Sequence, residues 1–394
     1  MNYTFDAFET SVHIRGEIPG IAQIAADMGA AIADNGSGIA DNGARAADGF
    51  FKPLIVCDEH TAPIADRICA VNGAANGAAG GDKSALPRCV ITGGEAAKAW
   101  PAVESILRAA REAGLGRDGV FIGVGGGVIG DLTAFAASIY MRGCGLVLVS
   151  TTLLGMVDAS LGGKTGFDLF GIKNLAGTFY PARHVYMPLE SLASLPAAEW
   201  KSGMAELIKT AILDGDDFLD ELTNTDFAGL TGDTERLCRC VSRAVHFKGR
   251  IVAADPRESA VWNGGPVRVL LNLGHTFGHA LESAAGLGTI SHGEAVAWGI
   301  ARACELGLVL GITPQTRAKK IKALLAAYGY ETAAPHPLMG NEENFLKALG
   351  DDKKKKSGKL SFIVPDEKSA RPLTIASHAE MGTIKQLLKG ELPL

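Results

Sequence analysis

No apolar run in this chain is long enough to cross a bilayer. Even the richest stretch, residues 119–157, is broken by charges and glycines. The opening residues, Met1-Asn-Tyr-Thr-Phe-Asp6, lack the basic segment and apolar stretch of a secretory leader. A soluble, cytoplasmic protein is the expectation. Excess charge is also small: 38 Lys and Arg stand against 43 Asp and Glu, for a net charge of -5 and a pI near 6.0. That balance argues against nucleic acid or a membrane surface as partner, so an anionic substrate must be met by local basic residues. Cysteine pairing is missing too. The seven Cys lie at 57, 69, 89, 144, 238, 240 and 304, an odd number without the spacing of a disulfide framework. Cys238 and Cys240 have no second pair at zinc-site spacing, which favours buried, reduced thiols.

What is present suffices for more than one core. With 394 residues and 47% hydrophobic content, the length favours two or three domains. Two low-complexity patches, 32–43 and 72–81, are rich in Asn-Gly and Ala-Gly and read as surface insertions. Between and after them, Lys52–Asp58, Arg88–Thr92, Gly119–Gly127 and Leu146–Ser150 read as buried strands. Helical patterns fill 100–113 and 130–140, and strand–helix–strand alternation implies a parallel sheet with helices on its faces. Beyond about residue 188 helical patterns dominate, at 197–213, 232–253, 275–286, 293–310 and 315–328. The expected division is therefore an α/β domain over 1–185 and a mainly α-helical domain over 186–394. A cleft between them is the expected place for a site.

Gly125-Gly-Gly-Val-Ile-Gly130-Asp131 leaves a predicted strand and opens a predicted helix. Glycines there let backbone N–H groups approach a pyrophosphate at a helix N-terminus. The spacing departs from the GxGxxG fingerprint, and a tight structural turn remains open as a reading. Asp58 ends a strand, where it either bonds a ribose or N-caps the next helix. Glu95 and Lys98 either reach ribose hydroxyls or form a surface pair.

The densest constellation is Asn272-Leu-Gly-His275-Thr-Phe-Gly-His279-Ala-Leu-Glu282. Two neighbours add to it, Ser291-His292-Gly-Glu294 and Gly203-Met-Ala-Glu206-Leu-Ile-Lys209. Imidazoles and a carboxylate on adjacent helices suit a Zn²⁺ site with open positions. Helical spacing pairs His275 with His279, and spacing alone does not say which two His hold the metal. Basic residues for an anionic substrate are Arg142, Lys164, Lys173, Lys248, Arg268 and the run Lys353–Lys356, which composition alone assigns to a solvated loop. Gly162-Gly-Lys-Thr165 matches the end of a P-loop. Asp158 stands where its first Gly is required, so no nucleoside-triphosphate site is implied.

In this order, these motifs resemble the 3-dehydroquinate synthases, within the sugar-phosphate cyclase group. The carrying segments are Gly125–Ala137, Ser150–Leu154, Val157–Gly166, Lys173-Asn174, Gly203–Lys209, Leu271–Glu282 and His292–Ala297. The resemblance is dense from about 88 to 310 and thinner outside. It implies a Rossmann-like domain that binds NAD and a helical domain carrying zinc or cobalt, in a homodimer. It implies metal ligands Glu206, His275 and His292. His279 then faces the substrate phosphate, with Arg142, Asn174 and Lys353 or Lys354. Asp158, Lys164, Lys209, Lys248, Arg268 and Asn272 are implied to hold hydroxyls and carboxylate. NAD is implied to lie on Asp58, Glu95, Lys98, Gly126, Gly127, Asp131, Thr151, Thr152 and Lys173, with Lys164 nearby. Departures are His60 in place of a frequent Asn, and extra residues at Val261–Pro266 that lengthen a loop.

The implied reaction takes the small-molecule substrate 3-deoxy-D-arabino-heptulosonate 7-phosphate to 3-dehydroquinate and phosphate. It runs by transient oxidation with NAD, β-elimination of phosphate, re-reduction and intramolecular aldol closure. The rivals are a cyclase of the 2-epi-5-epi-valiolone or 2-deoxy-scyllo-inosose type, an NAD-dependent metal polyol dehydrogenase, and a non-catalytic relative.

Overall fold

The computed structural model describes residues 1–5, 8–29, 51–70, 86–265, 267–286, 288–355, 360–375 and 378–392. Both low-complexity patches lie outside the described residues. The chain separates into two compact units, Met1–Leu195 and Pro196–Leu394.

The first unit is built on seven strands: β1 (Asn2–Phe5), β2 (Phe8–Arg15), β3 (Lys52–Asp58), β4 (Arg88–Ile91), β5 (Gly119–Gly125), β6 (Gly145–Ser150) and β9 (His184–Pro188). Their order is β1-β2-β9-β6-β5-β3-β4. All pairings are parallel except β1 with β2. Strand β5 is buried along its whole length, as expected of a strand covered on both faces. Helices α1 (Ile21–Asp27), α2 (Ala62–Ala70), α3 (Trp100–Glu112) and α4 (Gly127–Ile139) accompany the sheet. Ile55, Cys57, Ile122, Val124, Val147 and Val149 share one core with Ile21, Ile24 and Ile68 of the helices. A hairpin of β7 (Lys164–Leu169) and β8 (Ile172–Phe179) stands apart from the sheet. Gly162-Gly-Lys-Thr165 therefore runs into a strand, not into the helix that a P-loop requires.

The second unit holds α5 (Ala197–Asp214), α6 (Asp216–Thr223), α7 (Phe227–Thr231), α8 (Thr234–Ala254), α9 (His275–Ala285), α10 (His292–Val309), α11 (Gln315–Ala327), α12 (Glu342–Lys355) and α13 (His378–Lys389). A two-stranded sheet, β10 (Leu360–Pro365) with β11 (Ala370–Ile375), completes it. Trp298 is fully buried in a core with Phe277, Leu281, Phe345, Phe362 and Leu387, so segments between Met339 and Leu388 are the packing bed of α9 and α10. Both faces of the fold class read from the sequence, a mostly parallel sheet and a mainly helical second half, are present.

Strands β2 and β9 set two histidines side by side. His13 Nε2 lies 3.0 Å from His184 Nδ1, and the His13 ring stacks on Tyr186 at 4.6 Å. Burial lowers the pKa of both imidazoles below 6.5, against the opposing pull of Asp27. A lowered folded pKa means the unfolded chain binds more protons, so this pair's stabilisation is present above about pH 6.5 and is lost as pH falls below it. The melting temperature should therefore drop between pH 7 and pH 5. His13→Gln should shallow that dependence, and a slope identical to wild type would exonerate the pair.

Candidate active site

In the first unit, the chain passes from β3 outward to β4 and then returns to the other side of β3 as β5. The sheet thus changes direction between β3 and β5, the place where open α/β sheets bind ligands at the C-terminal strand ends. Asp58 ends β3 and Gly125 ends β5 at that point. Gly126 N-caps α4 in an extended conformation, and a Cβ there would sit 2.9 Å from Thr152 Cγ2. On the other side of the turn, a Cβ at Gly130 would meet nothing within 4 Å. The first turn of α4 carries N–H groups that the helix itself leaves unpaired. A pyrophosphate fits such a cradle.

Several of the polar residues named above are paired with one another in this unit. Lys98 is buried and pairs with Asp131 at 2.6 Å. Burial raises the Asp131 pKa in spite of that ammonium. Lys173 lies 3.5 Å from Glu95. Asp168 accepts the Asn174 N–H at 2.8 Å, and its own N–H donates to the Lys98 carbonyl, so the β7–β8 hairpin is tied to the Lys98 segment. Thr151 N–H donates to the Gly125 carbonyl, and Thr152 Oγ1 accepts from Gly155. Asp58 Oδ1 accepts from both the N–H and the hydroxyl of Thr61, so it does hold the turn before α2. Among the described residues its second oxygen has no hydrogen-bond partner. Asp158 lies in a π-helical turn, Gly155–Ala159, and Arg142 in a 3-10 turn with a positive φ of 72°.

In the second unit, glycines decide how closely three helices approach. A Cβ at Gly293 would fall 2.3 Å from the Ser202 carbonyl of α5, and one at Gly299 would fall 2.0 Å from the Gly274 carbonyl at the start of α9. Only glycine permits these contacts, which bring α10 against α5 and α9. A capping box between Ser291 and Glu294 starts α10 and sets His292 in its first turn. Lys201 steadies Glu294 at 3.0 Å.

The consequence is that Glu206 of α5, His275 of α9 and His292 of α10 present ligand atoms all within 4.8 Å of one another. Glu206 Oε1 lies 3.6 Å from His275 Nε2 and 3.4 Å from His292 Nε2, and Lys209 pairs with its other oxygen. Burial, reinforced by Lys209, holds His275 neutral with its pKa well below 6.5. His292 is also desolvated, yet its contacts with Glu206 and Glu282 outweigh that and raise its pKa to about 10. One carboxylate and two imidazoles is a donor set that fits Zn²⁺ or Co²⁺. His279, exposed and one turn from His275, belongs to a different grouping with Glu282 and His292.

Basic residues line the same unit. Lys209, Lys248 and Arg268 are all buried. The turn Arg268–Asn272 packs on α5 and α8. Asp255 fixes that turn by accepting from the backbone of Ser259, Ala260 and Arg268. Arg268 also donates to the Pro256 carbonyl, and Asn272 donates to Glu258 at 2.7 Å. Lys353 and Lys354 lie in α12, with side chains outside the described residues. Sequence reasoning assigned no role to Asp255, Glu258 or Glu282. Only Glu282 left a signal, since 275, 279 and 282 repeat on one helical stripe.

The fold is that of the sugar-phosphate cyclases. The structure aligns, with a TM-score of 0.77 over the full length of both chains, with 2-deoxy-scyllo-inosose synthase in complex with carbaglucose-6-phosphate, NAD+ and Co2+, at 22% identity. It aligns at a TM-score of 0.73 and 25% identity, over 86% of this chain and 91% of the other, with 2-epi-5-epi-valiolone synthase from Streptomyces hygroscopicus subsp. jinggangensis 5008, with NAD+ and Zn2+ bound. Sequence narrows the class. The family models for 3-dehydroquinate synthase match residues 88–202 (N-terminal) and 203–355 (C-terminal), and the 3-dehydroquinate synthase of Wolinella succinogenes is 40% identical over 71% of this chain and 77% of its own. The chain belongs to the 3-dehydroquinate synthase family.

Proposed function

We infer that this chain converts 3-deoxy-D-arabino-heptulosonate 7-phosphate to 3-dehydroquinate and phosphate, with NAD as a recycled cofactor and a divalent cation. The observation that carries the metal part of this reading is the convergence of Glu206, His275 and His292 within 4.8 Å. Those three would hold the cation. Asp58, Glu95, Lys98, Gly126, Gly127, Asp131, Thr151, Thr152, Lys164 and Lys173 would hold NAD. When bound, the cation supplies Lewis acidity to a substrate oxygen, and the dinucleotide supplies a hydride acceptor that is regenerated.

The chain's own residues do the rest. Lys209 and Lys248 on adjacent helices and Arg268 are buried, and with the half-buried Asn272 they would donate to a carboxylate and hydroxyls. Their burial makes each charge–charge contact stronger than in water and excludes solvent from the reacting carbon. Asp158 and Lys164 are assigned to hydroxyls. Arg142, Asn174, His279 and Lys353 or Lys354 are assigned to the phosphate that leaves. Basic donors there stabilise the departing dianion, and the phosphate itself is basic enough to accept the substrate proton, so no separate side-chain base is required. We further propose a homodimer in the cytoplasm. Among the described residues no helix is long and apolar enough to cross a membrane.

Purified protein given NAD and Zn²⁺ or Co²⁺ should release phosphate from the heptulosonate phosphate with no net NADH, and a chelator should abolish release. Sedoheptulose 7-phosphate and glucose 6-phosphate lack the carboxylate and should not turn over. Turnover of either one instead of the heptulosonate, or stoichiometric NADH from a polyol, would overturn the assignment.

A further inference from the structure

The α9 stripe that carries His275 and His279 continues to Glu282, a carboxylate with only 5% of its side chain exposed. Its Oε2 lies 3.6 Å from His292 Nδ1, while the opposite ring nitrogen, Nε2, lies 3.4 Å from Glu206 Oε1. The imidazole thus spans two carboxylates, one on each nitrogen. The capping box fixes the backbone at residue 292 but leaves rotation about the side-chain bonds, and a half-turn of the ring would exchange a nitrogen for a carbon at each position. A buried anion at Nδ1 selects one of these orientations and one tautomer, because Glu282 as a carboxylate accepts and does not donate.

We propose that Glu282 is a positioning residue of the metal centre: it accepts the Nδ1–H of His292 and so presents the Nε2 lone pair to the cation held with Glu206 and His275. This inference rests on the metal-dependent reading above. Outer carboxylates of this kind raise the basicity of the ligating ring, and their loss costs about 10–100-fold in metal affinity or activity. The competing arrangement is a separate ion held by His279, Glu282 and His292, whose ligand atoms also lie within 4.8 Å of one another. In that arrangement Nδ1 of His292 is a second ligand and not a donor. The two arrangements differ in stoichiometry: positioning requires one ion per chain, a separate site two.

The test uses the full chain loaded with Co²⁺, comparing wild type with Glu282→Gln, which keeps the shape and removes the charge. Co²⁺ content, affinity by chelator competition and the visible d–d absorption are read on each. Wild type should bind one ion per chain. E282Q should bind one ion about 10–100-fold more weakly, with shifted d–d bands that a purely structural role would not move. Glu282→Asp, which restores the charge on a shorter arm, should recover part of the affinity, and it serves if E282Q does not fold. Equal affinity and identical bands in wild type and variant overturn the proposal. Two ions in wild type and one in E282Q overturn it in favour of a separate site. Wild type with no specific Co²⁺ sinks the metal-dependent reading itself, a result distinct from both.

Discussion

Glu206→Gln is expected to lose the divalent cation on dialysis and to lower phosphate release by at least about 10³-fold, the upper range for loss of one electrostatic stabiliser. The side chain is 1% exposed and lies between two imidazole nitrogens and the Lys209 ammonium. An amide occupies the same volume. It carries no charge, so it neither offsets a dication nor balances Lys209, and breaking a buried ion pair from one side is costly. The loss should exceed the 10–100-fold expected of an outer-shell partner. Circular dichroism checks that the variant is folded, and elemental analysis measures the metal. Occupancy equal to wild type would remove Glu206 from the ligand set.

The second large effect is expected from the addition of one methyl group. At Gly299, a Cβ would meet the Gly274 carbonyl at 2.0 Å and the Gly278 nitrogen at 2.9 Å, all backbone atoms that no rotamer change can move aside. Gly299→Ala must push α10 from α9, at a cost of about 1–3 kcal/mol or more. Because His275 and His292 sit on those two helices, the displacement should also weaken metal binding. Gly350→Ala is the internal control. It places the same methyl in helix α12, where nothing lies within 4 Å, and should stabilise by about 0.5–1 kcal/mol. Thermal melts of the two variants should move in opposite directions. Equal shifts would mean that helix propensity, not the close approach, governs position 299.

The parts of the fold legible in the sequence were those with strong local patterning. The apolar run Lys52–Asp58 is β3 residue for residue, and the helical patterns from 197 onward reappear as α5, α8, α9, α10 and α11. Strands β1 and β2 went unread because their polar residues mask the alternation, as in Phe8–Arg15, and β9 because a five-residue buried run, His184–Pro188, is too short to show a period. The β7–β8 hairpin was hidden because its sequence looked like a phosphate loop, and only the pairing shows Gly166 and Gly177 facing one another across a strand pair. Within the site, residue types were readable but their partnerships were not. His275 and His279 share a helical face, so spacing alone pairs them. It is the closeness of α10 to α5, set by Gly293 against Ser202, that brings His292 to Glu206. Asp255 gave no signal at all, because its role is to hold the backbone of residues that lie up to thirteen positions away.

That backbone anchor has a consequence for engineering. Asp255 clamps Ser259 and Ala260 on one flank and Arg268 on the other, so residues 261–265 form an exposed bight whose two feet are pinned. Its span can be trimmed, extended or decorated with a reporter peptide while the guanidinium beyond it keeps its station, which makes this bight a natural graft point, unlike positions 293 and 299 of α10, where even a methyl group collides with backbone.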